Sequence, residues 1–152
     1  MFFVAATMTL MSCEKEETTP EPAIQLAGTS WECEMNNVIY ESGIQMNISL
    51  LSMIDFTDGT NAEWFMDLTL TVPAYPQANQ SFNETANVTY KMVGNDLTLY
   101  YNETDHETGE TESWEMHGVY NATDNTFTLD GSDEDMVEMM GTDKMVFHQV
   151  SK

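Results

Sequence analysis

The fold is decided by residues 44–72, which read IQMNISLLSMIDF, TDGT and NAEWFMDLTLTV. Apolar residues alternate with polar ones in both long arms, and a period of two is the signature of a half-buried strand. Asp58-Gly59 between the arms predicts a hairpin turn, because this dipeptide readily supplies the positive φ of a tight turn. Each arm would span roughly 36–43 Å at about 3.3 Å per residue. Strands this long in a small domain favour a coiled, closed barrel over a flat sheet.

The same alternation continues through most of the chain after residue 26. Loops are predicted at 73–83, 102–111 and 130–135, and at most a short turn of helix at 133–140. The inward-facing sets are Trp31, Cys33, Met35; Val88, Tyr90, Met92; Leu97, Leu99, Tyr101; Trp114, Met116, Gly118, Tyr120; and Phe127, Leu129. Together with a last strand near 144–150, they predict an all-β fold, a single antiparallel up-and-down barrel of about eight strands.

Charge and missing motifs exclude several classes of function. The formal charge is −22, from 26 acidic residues against four lysines and no arginine. A nucleic-acid partner is excluded because phosphate binding requires cationic side chains. A neutral ligand, a cationic partner or a divalent metal remains compatible with this charge. The chain carries no nucleophile elbow, zinc-protease helix motif or Gly-rich phosphate loop, so no enzyme and no cofactor is predicted.

The amino-terminal segment ends in a cysteine followed by an acidic run. The apolar run 2–11 leads to Ser12 and Cys13, and Glu14-Lys15-Glu16-Glu17 follows. Leu10-Met11-Ser12-Cys13 resembles the lipobox of bacterial lipoproteins, and the acidic run resembles the export tag of surface lipoproteins of Bacteroidota. The resemblance implies lipidation of Cys13, anchoring in the outer membrane and exposure at the cell surface. Since no basic residue precedes Ser12, we expect a few more residues upstream of Met1.

The predicted organisation has three parts. Residues 1–12 are a signal peptide, and residues 13–25 are a lipidated cysteine and a disordered tether. Residues 26–152 form one domain, opened by Leu26-Ala27-Gly28-Thr29-Ser30-Trp31. That opening, followed by β-meander hairpins, resembles the small lipocalin-like lipoproteins of Bacteroidota. The resemblance implies a β-barrel that acts as a binding module for a small apolar ligand or a protein partner.

Six aromatic residues on inward positions are the candidate ligand-binding residues. They are Trp31, Trp64, Tyr90, Tyr101, Trp114 and Tyr120. Such side chains line apolar pockets and offer indole and phenol groups for hydrogen bonds. The alternative is a filled interior, since an eight-stranded barrel is just wide enough to be packed by its own side chains. A packed barrel would fit a structural or assembly accessory lipoprotein without a ligand.

One acidic loop is a candidate calcium site. Asp130, Asp133, Glu134 and Asp135 offer four carboxylates close together in sequence, and calcium prefers such oxygen ligands. Their spacing differs from that of an EF-hand, so a solvated acidic turn is the alternative. Cys33 lies on an inward position between glutamates and is predicted to be an inert core thiol.

The lipobox gives the first testable prediction. Changing Cys13→Ser is expected to remove the acylated thiol and so to release the protein from membranes. Cell fractionation and labelling with a fatty-acid probe measure this directly. A mutant that still sediments with membranes would contradict the lipoprotein interpretation.

Overall fold

The computed structural model describes residues 21–104, 109, 111–131 and 134–151, with the side chains of 103, 104 and 134–136 left aside. Almost all of this part is strand. The elements in chain order are β1 Ser30–Glu41, β2 Ile44–Phe56, β3 Asn61–Thr71, a 3-10 turn Pro76–Ala78, β4 Gln80–Val93, β5 Asp96–Thr104, β6 Thr111–Asn121, β7 Thr126–Asp130, α1 Glu134–Met140 and β8 Lys144–Val150.

The strands form a closed barrel in which each pairs with its neighbours in sequence. The order is β1 through β8, and β8 pairs antiparallel with β1 to close the barrel. The predicted all-β, eight-stranded, up-and-down antiparallel barrel is therefore confirmed. Closure satisfies the backbone groups that an open sheet would leave at its edges.

The strands pair without a break in register, so the inward-facing residues of one strand lie opposite the inward-facing residues of the next. Trp31 lies opposite Ile54, Ile54 opposite Trp64, and Trp64 opposite Ala86. Each ladder pairs its residues one to one, and side chains alternate between faces along a strand. Odd residues of β1, β5, β7 and β8 therefore face inward, as do even residues of β2, β3, β4 and β6.

The buried core concentrates at one end of the barrel, called here the packed end, which holds Ser30, Phe56 and Asn121. Aromatic rings pack against one another across it, stacked in the pair Phe127–Phe147 and tilted or edge-on in the others. The centroid distances are 4.9 Å for Trp31–Phe127, 4.7 Å for Phe127–Phe147 and 4.7 Å for Phe56–Tyr90. Leu26, only 3% exposed, belongs to the same core. The opposite end, called the open end, holds Glu41, Gln80 and Thr111.

The turn between β2 and β3 lies where the sequence predicts it but has a different cause. Gly59 is not among the residues with positive φ, so the predicted reason for the turn is wrong. The Asp58 carboxylate instead accepts hydrogen bonds from the backbone N–H groups of Thr60 and Asn61 at 2.8 Å each. The side chain of Asn61 donates to it as well; this bond, followed by the two backbone bonds, lowers the pKa of Asp58 to about 2. A positive-φ hairpin does occur between β1 and β2, at Ser42 and Gly43.

Three predicted loops are shorter than expected. β4 begins at Gln80, so residues 80–83 of the predicted loop 73–83 are strand. Residues 102–104 and Thr111 of the second loop also belong to strands, as does Asp130 of the third. In each case a polar stretch pairs with a neighbouring strand although it lacks an alternating apolar pattern of its own.

The helix α1 lies towards the open end, between β7 and β8, against the inner face of β1, and its Met140 belongs to the buried core. Its existence agrees with the short helical turn predicted at 133–140. The Asn37 side chain donates to the Met139 carbonyl at 2.7 Å, which holds the end of the helix against β1. Within the described ranges, no helix is long and apolar enough to cross a membrane.

Contact with the barrel begins before the predicted domain boundary. Ala23 N–H donates to the Gly94 carbonyl at 2.7 Å, and Ile24 packs against the core. Gly94 lies between β4 and β5 at the packed end, so the chain joins the barrel at that end.

Gly118 gives a prediction about packing. A Cβ there would lie 2.6 Å from Leu129 Cδ2 and 2.8 Å from the Thr128 carbonyl oxygen. Gly118→Ala is therefore expected to lower the free energy of unfolding by about 1–3 kcal/mol, measured by urea denaturation. Gly59→Ala is the control, since no heavy atom lies within 4 Å of the added Cβ. Equal losses in both variants would contradict the predicted clash.

Candidate functional site

Four of the six predicted ligand-binding aromatics lie buried in the barrel, and each uses its polar group inside the protein. Trp31, Trp64, Tyr90 and Tyr120 are each less than 9% exposed. The bonds run from Trp31 Nε1 to Thr29 Oγ1 (2.8 Å), Trp64 Nε1 to Ser52 Oγ (2.7 Å), Tyr90 OH to the Asp58 carbonyl (2.7 Å) and Tyr120 OH to Asn125 Oδ1 (3.0 Å). Buried polar groups with partners stabilise a core. These four side chains therefore fill the interior and have no spare donor for a ligand.

The barrel wall separates towards the open end along two seams. β4 and β5 pair only from Val93↔Asp96 to Thr89↔Tyr100, although both strands continue further. β8 and β1 pair only from Ser30↔Val150 to Glu32↔His148. The sheet β1–β4 and the hairpin β5–β6 therefore diverge, and their inner faces become accessible.

The inner face near the open end is apolar and only partly buried. Its half-buried side chains, which pack on the edge of the core, are Met35, Ile39, Met66, Leu68, Leu70 and Met116. Methionines are flexible and adapt their shape to irregular surfaces. This lining therefore suits an apolar ligand of variable shape.

Two large aromatic side chains continue this lining to solvent. Phe82 of β4 is 58% exposed and Trp114 of β6 is 55% exposed, although both occupy inward-facing positions. The sequence predicts an inward-facing position for Trp114, and the register confirms it, but the side chain is not buried there. β6 continues past the region in which opposite sides of the barrel pack against each other. An inward-facing residue in that part of the strand therefore remains exposed.

Tyr101 and Glu84 meet across the seam between β4 and β5. The Tyr101 hydroxyl lies 3.4 Å from Glu84 Oε1, and both side chains are half-buried. Tyr101 lies opposite Trp114 in the β5–β6 ladder. Phe82 precedes Glu84 by two residues on the same face, a spacing of about 7 Å. One carboxylate and three aromatic rings thus share the mouth of the barrel.

A second cavity, of about 480 Å³, opens in the wall where β1 leaves β8. Cys33 lies at this seam, 2% exposed. Burial raises the pKa of its thiol, while a hydrogen bond from the Val146 backbone N–H acts in the opposite direction. The raised pKa agrees with the predicted core thiol, because a protonated thiol is a poor nucleophile.

The predicted calcium loop is only partly within the described residues. Asp130 is exposed, and its carboxylate lies 3.5 Å from the Lys144 ammonium group. Asp133 and the side chains of Glu134 and Asp135 lie outside the described part. In the part of the chain that is described, no three His, Cys, Asp or Glu side chains come together as a metal site would require.

Phe82 and Glu84 are the residues of this site that sequence reasoning missed. Residues 80–83 were predicted to be loop, so Phe82 was assigned to no face. The available signal was weak: Phe82, Glu84, Ala86, Val88 and Tyr90 have one parity, but the polar Glu84 hides the alternation. Only the pairing of β4 with β3 assigns both residues to the inner face.

The different exposure of the tryptophans gives a spectroscopic prediction. Trp114→Phe is expected to remove most of the tryptophan emission that neutral acrylamide quenches, because Trp31 and Trp64 are buried. Trp64→Phe is the matched control and should leave that accessible emission in place. Unchanged quenching in Trp114→Phe would contradict the exposed position at the mouth.

Comparisons with known proteins assign no function to this chain, so a functional proposal has to be based on the geometry of the barrel. The chain matches no protein-family model, no curated protein and no solved structure. The residues at the open end therefore carry the functional argument.

Proposed function

We propose that this protein is a lipid-anchored binding module of the outer membrane surface, lipocalin-like in plan, whose open end takes a small apolar ligand. The observation that carries the proposal is the continuous apolar inner face that ends in exposed Phe82 and Trp114. Single exposed apolar residues are ordinary on protein surfaces. Two exposed aromatics at one mouth, joined to a half-buried apolar lining, mark a binding surface.

The anchor is proposed from the resemblance of residues 10–13 to a lipobox, and Cys13 lies outside the described residues. About ten residues separate Cys13 from Ala23, which extended chain would span in roughly 30 Å. Ala23 joins the barrel at the packed end. A lipid on Cys13 would therefore connect the membrane to the packed end and leave the open end away from the point of attachment.

The alternative is an accessory lipoprotein with a packed barrel and no ligand. The filled packed end favours it, because each of the four buried aromatics already donates its hydrogen bond to another group of the protein. This alternative assigns no role to the exposed Phe82 and Trp114. Binding measurements separate the two functions.

The test is titration of the full chain, in its soluble Cys13→Ser form, with the neutral apolar fluorophore N-phenyl-1-naphthylamine. We expect a saturable rise in fluorescence with a dissociation constant in roughly the micromolar range. The double variant Phe82→Ser, Trp114→Ser should weaken binding by about tenfold or more, a loss of about 1.4 kcal/mol. Both residues are largely exposed, so the fold should survive the change.

The matched control is Tyr40→Ser, because Tyr40 is 70% exposed on an outward-facing position of β1. It should bind the fluorophore as the starting protein does. Failure to saturate, or equal binding by the double variant and the control, would contradict the proposed site and favour the packed accessory barrel.

A further inference from the structure

We propose that the ligand of the open end is an amphiphile with a positively charged amine head and an apolar tail. This inference rests on the proposed function and adds the chemical class of the ligand. The tail would lie along the half-buried inner face, and the head would lie at the mouth beside Glu84. Charge complementarity on inward-facing positions selects this class.

The charged groups on inward-facing positions are acidic throughout the described strands. Glu41 of β1, Glu84 of β4 and Glu112 of β6 occupy such positions, all towards the open end. The inward positions deeper in the barrel are apolar or neutral. The inner surface is thus apolar inside and negative at its rim, which is the complement of a cationic amphiphile.

Glu84 is the best placed of the three carboxylates to receive a cationic head. It is half-buried, whereas Glu41 and Glu112 are exposed. The Tyr101 hydroxyl lies 3.4 Å from the Oε1 atom of Glu84, a long contact across the seam. Phe82 lies two residues before Glu84 on the same face, and aromatic faces attract ammonium groups through their quadrupoles. A carboxylate among aromatic rings recognises an amine both by charge and by cation–π contact.

Basic side chains in the described part of the chain leave this rim uncompensated. Lys91 occupies an outward-facing position of β4, on the far side of the wall. Lys144 also faces outward and lies 3.5 Å from Asp130. An anionic head, such as that of a fatty acid, would therefore meet repulsion at the mouth. The net charge of −22 extends the attraction for cations into the surrounding solution.

The experiment compares three probes with the same twelve-carbon tail: dodecylamine, which is cationic at neutral pH, neutral dodecanol and anionic dodecanoate. Each displaces N-phenyl-1-naphthylamine from the full chain in its soluble Cys13→Ser form, at low salt and at probe concentrations well below micelle formation. The amine is expected to bind about tenfold or more tightly than the alcohol, and dodecanoate more weakly than either. Raising the salt to 0.5 M should reduce the preference, because screening shortens the range of surface electrostatics to a few ångströms.

Two charge-matched double variants separate the site from the general charge of the protein. Glu84→Gln with Glu112→Gln removes two inward acids, and Glu34→Gln with Glu63→Gln removes two exposed outward ones. The inward pair should lose most of the preference for amine, about fivefold or more, with dodecanol binding unchanged. The outward pair should change amine binding less than about twofold, since those charges face away across the wall.

The outcomes distinguish this inference from the proposed function. Equal binding of amine and alcohol, or equal effects of the inward and outward variants, would overturn the cationic head while leaving an apolar site in place. Tighter binding of dodecanoate would also overturn it. If none of the three probes displaced the fluorophore, the open end would not be an apolar site, and the proposed function would fail with it.

Discussion

The one-to-one register of neighbouring strands is the constraint on which the rest of the structure depends. A register shift of one residue in any ladder would exchange the inner and outer faces of the shifted strand. Because each ladder here is uninterrupted, one inward-facing set runs around the barrel from Trp31 to Phe147. The same set supplies the aromatic packing of one end and the apolar lining of the other. The core and the candidate site are therefore two parts of the same inward-facing surface of the barrel.

Much of this fold could be predicted from the period of two in residues 44–72. Alternation over two long arms establishes strands and faces, and their length argues for a closed barrel. The cause of the Asp58 turn could not be read in the same way, because hydrogen bonds from Thr60 and Asn61 replace the positive φ expected of Gly59. Gln80 to Asn83 also escaped prediction. This mostly polar stretch forms a strand because it pairs with β3.

The candidate site was less predictable than the core, for a physical reason. The side of the sheet to which a side chain points alternates along the strand and can be read from the sequence. Burial of that side chain depends on which residues of other strands pack against it. Trp31 and Trp114 have equally good inward positions, but only Trp31 meets rings from other strands. β4 and β5 stop pairing before their ends, and so do β8 and β1. Tertiary packing decides the residues at which this happens, and the open end results from it. Sequence periodicity contains no signal for them.

The thiol at the seam between β1 and β8 has a consequence for the chemistry of neighbouring molecules. Cys33 accepts the Val146 N–H at the point where the two strands leave each other, so the sulfur occupies a place in the wall. Only the ionised form of a thiol attacks disulfides, and burial suppresses ionisation here. While folded, copies of the protein crowded side by side would not become covalently joined through this residue, even in oxidising surroundings. Burial of Cys33 inside the closed barrel therefore keeps this thiol out of reach of other molecules.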